Sequence, residues 1–159
     1  MKIGFDTHNP ELFTIISNKI RHLGHTVIYC TPQGINNLGE SIYKRVLMAN
    51  HSKVDMFISI NIESGVENSV LVYSKLNESL DFINSILSGF QKEGFDNKGI
   101  KDGGKYYIIK NVLTKSYIIN ITLFDEEDKF YNMISELILK ALELYGINQI
   151  TSLNLKFIK

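Results

Sequence analysis

Short apolar runs alternate along this chain with segments whose apolar residues recur at helical spacing, and few folds accommodate that pattern. The runs at Lys2–Asp6, Thr26–Thr31, Val54–Asn61, Val70–Tyr73, Tyr106–Ile109 and Tyr117–Phe124 read as strands. A strand that is apolar at consecutive positions is buried on both faces, which places it inside a mostly parallel sheet with helices above and below. The expected fold class is therefore α/β: a three-layer αβα sandwich around a twisted sheet of about six strands. Asn9-Pro10 supplies an N-cap and a first-turn proline for a helix carrying Leu12, Ile15, Ile16, Ile20 and Leu23, which Gly24 ends. A turn-rich stretch, 32–39, leads into a second helix through Tyr43, Val46, Leu47 and Asn50. Asn77 reads as the cap of a third helix, with Leu80, Ile83, Leu87 and Phe90 on its core-facing stripe and Gly94 at its end. Asp125 and Asp128 open the last helix, which runs to Tyr145 and stops at Gly146. One domain thus spans 1–146. In the tail, 147–159, the spacing of Ile150, Leu153, Leu155 and Phe157 fits either an added edge strand or loose packing.

With 159 residues the chain has the size of a single domain. Seventeen basic residues balance seventeen acidic ones, which removes the electrostatic case for nucleic acid or an acidic membrane surface as a partner. Cys30 is the only cysteine, so neither an internal disulfide nor a cysteine metal cluster is available, and the residue reads as a buried strand position. Met1–Asp6 turns polar before a signal-type apolar region forms, and no stretch is long enough to span a bilayer, so cytoplasmic synthesis is expected.

Three segments carry a resemblance: SNKIRHLGHTVIYCTP (17–32), SIYKRVLMAN (41–50) and KVDMFISIN (53–61). Their order and spacing resemble family 3 of the N-acetylmuramoyl-L-alanine amidases, and most of all the zinc amidase domains of clostridial phage endolysins. Gly65–Glu67, Phe95–Lys101 and Tyr117–Phe124 fall where that family has its own equivalents, so the resemblance runs from Lys2 to about Gly146. It implies an amidase-3-like fold, a zinc ion held by two histidines and a glutamate, and a second glutamate on a late strand as general base. Three ligands leave one position for a water whose pKa the metal lowers to roughly 7, and the base takes its proton. The bond cut joins the lactyl group of N-acetylmuramic acid to L-alanine. Such a protein, lacking a signal peptide, reaches the cell wall only after lysis or assisted export.

The sequence departs from this pattern at the positions the chemistry needs. Asp6-Thr7-His8-Asn9 replaces the family's Asp-x-Gly-His, and the long loop before the ligand glutamate is missing. Glu11 stands where that glutamate would stand. Two readings of His8 and Glu11 are open: surviving zinc ligands, or a solvated turn with a carboxylate favourably placed at a helix N-terminus. Asn61, in Ile58-Ser59-Ile60-Asn61, takes the place of the third ligand, and its amide oxygen suits zinc poorly. Asn120, in Ile119-Asn120-Ile121, takes the place of the general base, and a carboxamide accepts no proton. Glu67 is either a substrate-side glutamate or a strand-edge charge. His22, His25 and His51 read as surface residues, and Asp125, Glu126 and Glu127 as an acidic helix start.

The expectation is an amidase-like protein that has lost catalysis and zinc and acts by binding a peptidoglycan fragment or a protein partner, such as an active amidase, with Asn61, Asn120 and Glu67 as its binding residues. Two alternatives stand beside it: an active zinc amidase with a substituted ligand set, and a scaffold or regulatory subunit with no glycan contact.

Overall fold

The computed structural model describes residues 1–76 and 80–156. In chain order the elements are β1 (Lys2–Thr7), α1 (Pro10–His22), β2 (Thr26–Tyr29), α2 (Leu38–His51), β3 (Met56–Ser64), β4 (Ser69–Ser74), α3 (Asp81–Lys92), β5 (Asp96–Asp102), α4 (Tyr107–Asn111), β6 (Lys115–Leu123) and α5 (Tyr131–Lys156). The strands form one six-stranded sheet in the order β2-β1-β3-β6-β4-β5. β1, β2, β3 and β6 are parallel, while β4 runs antiparallel to β6 and carries β5 parallel to itself. This is the expected mostly parallel α/β sheet.

Strand alternation sorts the side chains into two cores. Ile3, Phe5, Met56, Ile58, Ile60, Tyr117, Ile119 and Ile121 face α1, α3 and α5, and the Phe82 and Tyr117 rings meet there with centroids 5.2 Å apart. Phe57 and Ile118 face α2 and α4, where Val46, Ala49, Ile108, Ile109 and Val112 cover them. Each such side chain, removed from water, contributes about 1.5–3 kcal/mol before conformational entropy is counted. The second face changes character toward the carboxyl ends of its strands. There Asp6, Ser59, Asn61 and Asn120 occupy the positions that Gly4, Phe57 and Ile118 occupy lower down.

The first three helices end alike. After α1, Gly24 N–H and His25 N–H donate to Arg21 and Ile20 carbonyls; after α3, Gly94 and Phe95 do the same to Gln91 and Phe90. The motif needs a left-handed residue, and Gly24 and Gly94 supply it at φ 79° and 85°. After α2 the same bonds form from Lys53 and Val54 to Asn50 and Ala49, but the left-handed position is held by Lys53 at φ 50°.

Several sequence readings change. Tyr106–Ile109 belongs to a helical turn rather than a strand: Tyr106 N–H closes onto Gly103 O at 2.8 Å, and α4 then lays Ile108, Ile109 and Val112 onto the sheet, an i, i+1, i+4 stripe. The sixth strand is β5, at an edge of the sheet, whose sequence Asp-Asn-Lys-Gly-Ile-Lys-Asp lacks apolar alternation because its side chains are almost all exposed. α5 begins at Tyr131 after a 3-10 turn, Glu127–Phe130, not at Asp125. It also passes through Gly146 to Lys156, so the described part of the tail is helical and adds no strand to the sheet. One interior glycine costs a helix only about 1 kcal/mol, and Gly146 lacks the positive φ that would end it. The expected Asn77 cap lies outside the described residues. Among the described residues no helix is long and apolar enough to cross a membrane.

Candidate functional site

The polar ends of β1, β3 and β6 open onto a crevice bounded by α2 and the start of α4, the position at which open α/β sheets bind ligands. Its cavity, about 220 Å³, is lined by His8, Arg45, Ser59, Asn61, Tyr73 and Asn120 among others, with Leu38, Ile42, Tyr106, Ile108 and Ile118 as its apolar wall. A second hollow of about 170 Å³ adjoins it through His8 and Asn61, bordered by Thr7, Asn9, Ile60 and Ile62.

Asp6 anchors the floor. It is fully buried, and its carboxylate accepts three hydrogen bonds: from Thr31 Oγ1 at 2.7 Å, Ser59 Oγ at 2.8 Å and Arg45 Nη1 at 2.9 Å. Arg45 is 4 % exposed, so this is a buried ion pair whose desolvation cost is offset in part by the three bonds to the carboxylate. Arg45 Nη2 also reaches Ser41 Oγ at 3.2 Å and His8 Nε2 at 3.1 Å. A guanidinium only donates, so His8 Nε2 is the acceptor and its lone pair is already engaged. Among the described residues, buried Arg45 Nε has no hydrogen-bond partner.

Above this floor Asn61 and Asn120 are directly paired in the β3–β6 register, and Asn61 Nδ2 donates to Asn120 Oδ1 at 3.0 Å. Among the described residues, Asn61 Oδ1 and Asn120 Nδ2 meet no protein partner, leaving an acceptor and a donor beside the pair. Tyr73 and Tyr106, with ring centroids 4.7 Å apart at 60°, close the β4 side, and a hydrogen bond between them raises the Tyr106 hydroxyl's pKa.

His8, Asn61 and Asn120 therefore share one crevice. Glu11 does not join them: it is exposed in the first turn of α1 and borders neither hollow. Glu67 lies farther out, beyond the end of β3, where it pairs with Lys98 at 2.9 Å; Lys98 also pairs with Asp96, and the two bonds hold the ammonium's pKa well above its ordinary range. His22 is bonded to Asn18 O, His25 meets the terminal amine, and His51 is exposed at the end of α2. Asp125 binds the Glu126 N–H and Lys129. Cys30 is buried, and burial together with the Asp6 carboxylate pushes its thiol up to about 12, so it is no nucleophile.

The zinc ion implied by the resemblance needs three converging donors. Among the described residues no three His, Cys, Asp or Glu side chains converge, the two asparagines bond to each other, and the one imidazole in the crevice is turned to a cation. The residues present do not fit the metal. Arg45, Thr31, Ser59 and the Tyr73–Tyr106 pair had escaped the sequence reading. Only the burial of α2's inward stripe, on which Arg45 sits one residue from Val46, would have singled out that arginine.

No protein-family model matches the chain, and no curated protein matches it. Its fold is nevertheless that of N-acetylmuramoyl-L-alanine amidase catalytic domains. The catalytic domain of an endolysin targeting Clostridia difficile is 18% identical, with 89% of this chain and 96% of that one covered and a TM-score of 0.74. The catalytic domain of CwlV from Paenibacillus polymyxa var. colistinus is 15% identical over 91% and 97%, with a TM-score of 0.73. The CwlD amidase from Clostridioides difficile, solved in complex with the GerS lipoprotein, is 16% identical over 96% and 98%, with a TM-score of 0.64.

Proposed function

We propose that this chain uses the amidase fold to bind a peptidoglycan fragment and not to cut it. The observation that carries the reading is the hydrogen-bonded Asn61–Asn120 pair at the mouth of the crevice. Hydrolysis at this position requires an activated water and a group to take its proton, and neither carboxamide performs either task. What the pair does offer is an outward acceptor and an outward donor, the complement of a ligand amide's N–H and C=O. The apolar wall beside it suits the small apolar substituents that flank the muramoyl-alanine amide. A chain of zero formal charge, with Arg45 in the crevice paired to Asp6, agrees with an uncharged amide as the recognised group.

Calorimetric titration with N-acetylmuramoyl-L-alanyl-D-isoglutamine tests this directly. Saturable binding that Asn120→Asp weakens is the expected result, since the substitution replaces the free donor by a carboxylate; release of stem peptide from cell walls in a chelator-sensitive manner would refute the reading. A protein partner is the second reading, drawn from the neighbour solved with a lipoprotein.

A further inference from the structure

We infer that Arg45 keeps the crevice closed to divalent metal, its guanidinium standing as a fixed cation between Asp6 and His8. The inference builds on the binding reading above and adds a cause: the site is blocked, and not merely short of ligands. Three observations support it. His8 Nε2 is 3.1 Å from Arg45 Nη2 and accepts its hydrogen bond, so the lone pair of that nitrogen is not free for a metal. Nor can the guanidinium swing aside, because it is buried and also held by Asp6 Oδ2 and Ser41 Oγ, while Asp6 is itself fixed by Thr31 and Ser59. Both carboxylate oxygens of Asp6 are engaged, so Asp6 cannot turn to a metal without breaking this set. A divalent ion at His8 Nε2 would meet the permanent positive charge of the guanidinium at contact distance.

Loss of a ligand and obstruction by a cation make different predictions for a chain whose ligand has been restored. Zinc affinity is measured by competition with a chromophoric chelator for the native protein, for Asn61→His, and for Asn61→His combined with Asp6→Asn and Arg45→Gln. The last pair removes both buried charges together and keeps hydrogen-bonding side chains, so no lone charge is left inside the fold. Asn61→His alone is expected to bind zinc no better than the native chain. The triple variant should bind roughly ten- to a hundredfold more tightly, the range that neighbours of a metal site command. Equal affinities for Asn61→His and the triple variant, at whatever level, overturn the inference but leave the binding reading standing. Stoichiometric zinc in the native protein with chelator-sensitive wall cleavage would remove both. If the triple variant does not fold, the native protein decides: nitrogen NMR of the His8 ring should show Nε2 as an unprotonated acceptor that excess zinc does not move, and a zinc-induced shift there overturns the inference.

Discussion

Asp6, at the carboxyl end of β1, and Arg45, on α2, show how much rests on single residues. Truncating Arg45 to alanine leaves a fully buried carboxylate with only two hydroxyl partners, and an uncompensated charge of that kind costs about 3–5 kcal/mol. The paired substitution Asp6→Asn with Arg45→Gln should cost far less than Arg45→Ala alone, as urea denaturation of the two variants will register. Cys30 gives a second residue-scale test. Its thiol has no solvent exposure and is pushed up to about 12, so a thiol reagent at pH 8 should label it only after the protein is unfolded. Because the folded value lies above the unfolded one, stability linked to this group is whole below the ordinary thiol range and is lost as pH rises toward about 12.

At the scale of elements, the helix ends offer a controlled comparison. A non-glycine residue in the left-handed region costs roughly 1–2 kcal/mol, partly offset because glycine loses more backbone freedom on folding. Lys53→Gly, after α2, is therefore expected to raise stability by up to about 1 kcal/mol, and Gly94→Ala, after α3, to lower it by about 1 kcal/mol; thermal melts of the two variants check the opposite signs. The elements also show what the sequence could and could not convey. β1, β3 and β6 were legible because one face of each carries an unbroken apolar row: Ile3 and Phe5, then Met56, Ile58 and Ile60, then Tyr117, Ile119 and Ile121. β5 was not, because its side chains are almost all exposed and no buried face imposes alternation on them. α4 was misread because Ile108 and Ile109 are adjacent, and a two-residue apolar step serves a strand and a helical turn equally. The asparagines were legible by position alone, since they sit where the resemblance expects a ligand and a base. Arg45 was not, because what makes it consequential is its contact with His8, which only the three-dimensional arrangement reveals.

For the molecule as a whole, the balance of charge bears on how it would meet its ligand. A neutral amide read by carboxamides in a chain of zero formal charge draws little on long-range attraction. Muropeptide affinity should accordingly change little between about 0.05 and 0.5 M salt, where an electrostatically driven interaction would weaken markedly; titrations at the two ionic strengths separate the cases. Asn120→Glu, which restores a proton acceptor to the rim of the crevice, is expected to leave cell walls undigested, because no activated water is there for it to serve. Zero net charge has one more effect. Molecules without mutual repulsion rely on local features to stay apart, and the β5 side of this sheet is a place where two chains could zip together. Asp96, Lys98, Lys101 and Asp102 along that strand, with the irregular pairing around Gly99, spoil the rim as a template for a neighbour. Replacing Lys98 and Lys101 with valine is therefore expected to promote strand-to-strand association at this flank, as light scattering at rising protein concentration will register.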